Sequence, residues 1–213
     1  GVWGQHLHSL EFYETDTSRG FVRGAKWGLQ PTGGPLSMTR GYPWGEANAI
    51  WGVDFHRQLR KRLGHSAMWG IIAEDLPEEQ NRVVLDPELK DANGIPAPKL
   101  IYRMSENSNR LLAFHLARAK ESFEAAGANE VVVAPLIRET GWHILGTCKM
   151  GLDPATSVVD PWGRCHDVAN LFIYDGSIWP TSSGMNPTAT IAALALRCAE
   201  HLVEQRRTQK VSV

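Results

Sequence analysis

The chain has 213 residues, 43% hydrophobic and 21% charged, with a formal net charge of −1. That length holds one large domain or two small ones, and the balance is ordinary for a globular protein. It excludes a basic nucleic-acid binder, and no apolar run approaches the roughly 18 residues of a membrane span.

The start, Gly1-Val2-Trp3-Gly4, lacks the basic-then-apolar pattern of a signal peptide. It also opens without an initiator methionine, so the chain reads as a piece of a longer protein or assembly. Gln5 to Glu14 contains the alternation His8-Ser9-Leu10-Glu11-Phe12-Tyr13, which predicts a strand. Gly20 to Gly45 is rich in glycine and proline and reads as a loop with short strands, of the kind that serves as a binding loop or lid. Glu46 to Leu63 turns helical, with Ile50, Val53, Phe55 and Leu59 as an apolar face and Gly64 as a stop. Ala67–Ala73, Arg82–Leu85 and Lys99–Met104 read as strands of an antiparallel sheet, with an Asp-Pro turn at Asp86-Pro87. Over 109–126, Leu112, Leu116, Ala119, Phe123 and Ala126 make one helical stripe, capped by Gly127. Val131–Ala134 reads as a short buried strand.

Three cysteines, Cys148, Cys165 and Cys198, are too scattered for a disulfide framework and contain no CxxC pair for zinc, so no metal site is expected. Eight tryptophans are many for this length. They fit either large cores or an aromatic-lined carbohydrate site in the region Gly20 to Gly70.

From about Gly141 three dense segments follow. Gly141 to Gly151 places His143 just before a Gly-Thr-Cys turn, and a neutral imidazole is the natural base for an alcohol proton near neutral pH. Asn170 to Ser177 is an apolar strand, Leu171 to Tyr174, ending in Asp175-Gly176. An acidic residue and a glycine there suit a cofactor ribose, ribitol or phosphate-adjacent contact. Ser183 to Ile191 opens the terminal helix, with Asn186 as an N-cap and Pro187 at the first helical position. Free N–H groups and the dipole make that helix start favour an anion. Singly, none of these signals is specific.

In this order, however, they resemble the C-terminal half of the glucose-methanol-choline (GMC) oxidoreductase family. His143-Ile144-Leu145-Gly146-Thr147-Cys148-Lys149-Met150-Gly151 is similar to the family's His-x-x-Gly-Thr-Cys-Arg-Met-Gly signature, with Lys149 for the usual arginine. Asn170 to Ser177 resembles its Asn-Leu-aromatic-Val-x-Asp-Gly-Ser segment, and Asn186 to Ala195 its Asn-Pro-x-x-Thr-Ile-x-Ala-Leu-Ala helix. The match is strong over 141–203 and weaker over 81–127. It looks closest to the bacterial branch of gluconate, fructose and glucoside dehydrogenases.

The resemblance implies an FAD cofactor and oxidation of a CH–OH group. His143 would take the hydroxyl proton and Asn186 would hold the substrate oxygen. Trp142, Asp175, Gly176, Pro187 and Thr188 match positions that line the flavin. The implied fold is α+β. Residues 1–8 would be a remnant of the flavin domain, 9–140 an antiparallel or mixed-sheet substrate-binding domain backed by helices, and 141–213 the C-terminal strand and helix of the FAD-binding domain.

The family's Gly-x-Gly-x-x-Gly dinucleotide fingerprint is absent, since no two glycines are separated by a single residue. The expected partner is therefore an N-terminal flavin-binding half, as a separate chain or missing segment, without which this chain is expected not to oxidise alcohols. The alternative readings are a non-catalytic carbohydrate-binding or interaction module on the same fold, and a relative using its flavin structurally, as some lyases do. Gln30, Thr32 and His56 are the polar candidates for substrate contact. The particular alcohol or sugar, the electron acceptor (oxygen, a quinone or a cytochrome) and the compartment, bacterial periplasm or cytoplasm, are open.

Overall fold

Alternation along Ala25–Pro31 buries Ala25 and Trp27 on one face, and this stretch becomes the central strand of a sheet in the computed structural model. The structure describes residues 7–31, 34–39, 49–136 and 141–211. The chain divides into two compact units, residues 1–74 with 106–141, and residues 75–105 with 142–213. The fold is α+β with antiparallel sheets.

In the first unit β1 (Leu7–Ser9), β2 (Ala25–Pro31) and β3 (Ala67–Ala73) form an antiparallel sheet in that order, with Leu7 opposite Leu29 and Trp27 opposite Ile71. The first strand is shorter than its alternation predicts, because a turn at Leu10–Tyr13 ends it, with Tyr13 N–H donating to the Leu10 carbonyl. Short helices follow at α1 (Pro35–Thr39) and α2 (Phe55–Arg62). The second is shorter than the pattern over 46–63 predicts. Ile50 is buried ahead of it while Val53 is fully exposed, so the apolar residues there do not form one helical face. Part of that predicted helix, 46–48, lies outside the described residues.

Helix α3 (Glu106–Ala125) covers one face of the sheet, and Ala119 joins Ala25 and Trp27 in a core filled out by Phe12, Trp69 and Ile71. Its buried face is centred on Ser108, Leu111, His115 and Ala119, which keeps Ala119 of the predicted stripe but puts Leu111 and His115 in place of Leu112 and Leu116. The rotation follows from His115, whose Nδ1 accepts a hydrogen bond from Trp27 Nε1–H at 2.9 Å, so a polar ring is accepted in the core. At the helix start, the Asn107 amide both accepts from Val22 N–H (2.8 Å) and donates to the Val22 carbonyl (3.1 Å).

Gly24 fixes where β2 begins. A Cβ there would sit 2.2 Å from the carbonyl oxygens of both Phe12 and Tyr13, which are backbone atoms that cannot step aside. Its neighbour Arg23 has a φ of 72° and is held by Thr15 Oγ1, 3.0 Å from its N–H, and by the largely buried carboxylate of Glu74 at 3.4 Å. Gly24→Ala should therefore cost about 1–3 kcal/mol, read as a lowered urea midpoint. An unchanged midpoint would show that the strand start relaxes without loss.

In the second unit β4 (Arg82–Lys90) and β5 (Pro96–Ile101) form an antiparallel ribbon. Asp86-Pro87 is a bulge in a continuous strand rather than the predicted turn. The Asp86 carboxylate takes the amides of Glu88 and Leu89, each at 2.9 Å, that the ladder misses. The turn lies at Asp91–Gly94, where Gly94 adopts a φ of 81°. Asn81 closes the ribbon's base through two hydrogen bonds to the Arg103 backbone. Val131–Ala134 and Leu171–Tyr174 form no regular strands. The latter is reduced to a bridge between Phe172 and Arg164, with Gly163–Cys165 as its ladder partner among the described residues. Helix α4 (Thr188–Val211) ends the unit. Among the described residues no helix is long and apolar enough to cross a membrane.

Candidate active site

Backbone hydrogen bonds assemble the site of the second unit. The amides of Gly146, Cys148 and Met150 donate to the carbonyls of Gly176 (3.3 Å), Ser177 (2.8 Å) and Ile178 (2.7 Å). Alternate amides pointing one way are the pattern of an extended segment laid along a partner. Gly146 has a φ of 86°, which turns the chain out of this ladder toward His143. Beneath the ladder Val159, Cys165 and Ile178 form a core with Met150, Ile173 and Trp179.

On the partner segment Asp175 caps a single 3-10 turn, Gly176–Ile178, its carboxylate accepting from both the N–H and the hydroxyl of Ser177. Asp175 is exposed and Gly176 is buried. Further on, the Pro187 carbonyl accepts the first bond of α4, from Ile191 N–H at 3.0 Å. The capping residue is therefore Pro187, which is buried, and not Asn186 as predicted, which lies one position ahead of it. Thr188 is exposed at the helix start.

The two arms bring Asn186 Nδ2 to 3.3 Å from His143 Nε2. That is long for a hydrogen bond, and with the amide nitrogen as donor it uses the imidazole lone pair at Nε2. An oxygen at about 2.8 Å from each atom fits between them, accepting from the amide while presenting its own proton to the ring. Asn186 is exposed, His143 is half-buried, and the adjacent Trp142 ring is 75% exposed, so the pair is open to a ligand.

The other polar candidates fall elsewhere. Gln30 lies in β2 with its amide over Gly70, His56 is in α2, and Thr32 lies outside the described residues. Within Gly20 to Gly70, Trp27 is 5% exposed and packs, tilted, at 5.5 Å against the partly buried Trp69, while Trp51 is exposed. Of the tryptophans that could have lined a carbohydrate site, Trp27 is thus a core residue and Trp69 packs against it.

One cluster carries no signal in the sequence, Ser157 with His166, whose Oγ and Nε2 lie 3.0 Å apart. The Ser157 hydroxyl donates to the Asp153 carbonyl at 2.6 Å, and His166 Nε2 also faces the Gly151 carbonyl at 3.3 Å. The serine proton is committed to a carbonyl and the ring nitrogen acts as a donor, so the pair pins a loop and is not set up as nucleophile and base. Nothing in the linear spacing distinguishes such a pin from a catalytic pair. Among the described residues no group of His, Cys, Asp and Glu has the makings of a metal site.

Comparison with known proteins adds the following. The family model for the GMC oxidoreductase C-terminal domain matches residues 77–195. The 2-methyl-1,2-propanediol dehydrogenase of Mycolicibacterium austroafricanum is 38% identical, over 98% of this chain and 39% of its own. The fructose dehydrogenase large subunit of Gluconobacter japonicus is 36% identical over 71% of this chain and 28% of its own. The gluconate 2-dehydrogenase flavoprotein of Pantoea cypripedii is 26% identical over 87% of this chain and 31% of its own. The chain spans about two-fifths or less of the length of these relatives.

Proposed function

Since this chain belongs to the GMC oxidoreductase family, whose members are generally flavin-dependent, we propose that it is the C-terminal portion of an FAD-dependent enzyme that oxidises a CH–OH group of an alcohol or sugar. The observation that carries this reading is the approach of His143 and Asn186 to 3.3 Å across 43 residues of sequence. A binding module would need no base and amide poised to share one oxygen.

Asn186 donates to the substrate oxygen and orients the hydroxyl toward His143. His143 Nε2 takes the hydroxyl proton, so negative charge builds on the oxygen that Asn186 holds. FAD, when bound, supplies the acceptor for the carbinol hydride. The residues present fit that group at one edge. Thr188, Ala189 and Thr190 are exposed at the start of α4, and no acidic residue stands in its first turn, so the positive end of the helix dipole faces solvent. Such a helix start suits the edge of a flavin that gains negative charge on reduction. Trp142, Asp175, Gly176, Pro187 and Thr188 are the proposed flavin-lining residues.

For the adenine half no fingerprint exists in this chain. It belongs to an N-terminal half, in a separate chain or a longer polypeptide, and the name "large subunit" carried by one relative favours a multi-chain assembly. In this scheme residues 9–140 serve substrate binding, while 1–8 and 141–213 complete the flavin domain.

Two samples test the reading. This chain alone should be colourless and reduce no dye with alcohols or sugars. The assembled protein should be yellow, and an alcohol or sugar added without oxygen should bleach it. Stoichiometric flavin and turnover on this chain alone would remove the split-site reading. An assembled protein whose flavin resists a broad panel of alcohols and sugars would remove the oxidoreductase reading.

A further inference from the structure

The catalytic pair sits on two arms that are far apart in sequence, so some part of the fold must set their separation. We infer that Gly176 does this, as a positioning residue for His143 and Asn186. The inference rests on the catalytic reading above.

Gly176 is buried, and a Cβ added to it would meet Leu145 Cδ2 at 2.7 Å, Ile191 Cδ1 at 3.1 Å and the Ile144 carbonyl oxygen at 3.3 Å. Ile144 and Leu145 are the two residues that follow His143. Ile191 lies in the first turn of α4, and its amide is bonded to Pro187, the residue after Asn186. Both arms therefore rest on the same bare Cα. The Gly176 carbonyl also holds the first of them directly, through Gly146 N–H.

Conformation does not explain this glycine. Gly146 and Gly163 adopt positive φ, and Gly176 does not belong to that set. What it provides is space. The Leu145 tip is about 0.7 Å short of ordinary contact with an added methyl. That tip can rotate away, but the Ile144 carbonyl moves only with the backbone that carries His143. A methyl group at 176 thus acts as a wedge between the two arms. Misplacement of a reacting group by about 1 Å can cost roughly 10²-fold in rate, and a fraction of that shift is expected here.

The test uses the complete flavoprotein. Gly176→Ala should lower kcat about tenfold, with KM changed less and flavin content unchanged. Adding Leu145→Ala opens room at the closest contact. The double variant should return to within about threefold of the Leu145→Ala single variant. Had Gly176 acted only through its proposed place along the flavin, shrinking Leu145 would rescue nothing and Gly176→Ala would shed flavin. A Gly176→Ala kcat within twofold of wild type overturns the inference, as does a double variant that is inactive or does not fold, since relief of the assigned clash then restores nothing. If His143→Ala abolishes turnover while Gly176→Ala behaves as wild type, the positioning role fails and the catalytic reading stands. If His143→Ala is fully active, the catalytic reading itself has failed.

Discussion

Replacing His143 by alanine in the complete flavoprotein should lower kcat roughly 10²–10⁴-fold while the flavin stays bound. The loss falls on kcat because the proton leaves the hydroxyl in the transition state, and a base that is absent stabilises nothing there. Asn186→Ala should cost roughly 10²–10³-fold, the usual scale for removing one donor from a developing oxyanion. The two losses should not multiply, because both side chains act on one oxygen and lie 3.3 Å apart. Anaerobic flavin reduction followed by stopped flow separates the hydride step from substrate binding. A His143→Ala enzyme that reduces its flavin at the wild-type rate would mean that the proton leaves by another route.

Acidification should weaken the first unit through His115. This ring is fully buried among Phe12, Phe21, Phe114 and Trp27. Its Nδ1 lone pair is occupied by Trp27 Nε1–H, and its Nε2 finds no hydrogen-bond partner among the described residues. Burial, assisted by the Arg19 guanidinium, pushes its pKa from an ordinary 6.5 down to about 4. A second proton would have to go on Nδ1, against the indole N–H. The unfolded chain binds that proton more readily than the folded one, so the stabilisation is complete above about pH 6.5 and is lost as pH falls toward 4. The difference corresponds to about 3 kcal/mol. The charged group that adds to the penalty is Arg19, whose guanidinium lies over the rings of Phe12 and Phe114. His115→Gln keeps an acceptor for Trp27 but cannot take up the proton. Urea midpoints between pH 7 and 4.5 should fall less steeply for that variant than for wild type. Parallel profiles would show that acid lability lies in other groups.

How far the sequence discloses this molecule depends on whether each feature is local. Strand β3 and helix α3 come out within a few residues of their predicted limits because hydrophobic period and a following glycine are local signals. The face of α3 does not, since a histidine counts as polar until Trp27, 88 residues away, is seen to satisfy it. Leu171–Tyr174 looks like a strand because its side chains are apolar, but a strand exists only through its neighbours. Here the ladder partner among the described residues is a three-residue turn. The candidate site divides the same way. His143 and Asn186 carry no local sign of belonging together, and only their resemblance to a family pattern pairs them. The reason for Gly176 is invisible in sequence, where a glycine needed for room looks like one needed for a turn. Ser157 and His166 show the reverse hazard, side chains of a catalytic type holding a loop.

The ladder between 146–150 and 176–178 is made of main-chain amides and carbonyls alone. Its geometry therefore does not depend on the exposed side chains along it, although Gly146 and Gly176 must stay bare. Substitutions such as lysine for arginine at 149 can accumulate along the His143 arm without re-aiming the imidazole. A frame specified by the backbone separates the inheritance of the reaction from the inheritance of the substrate. On the catalytic reading proposed above, exposed positions around the pair can be retuned by single mutations, each of which leaves the proposed base and amide in place for selection to act on.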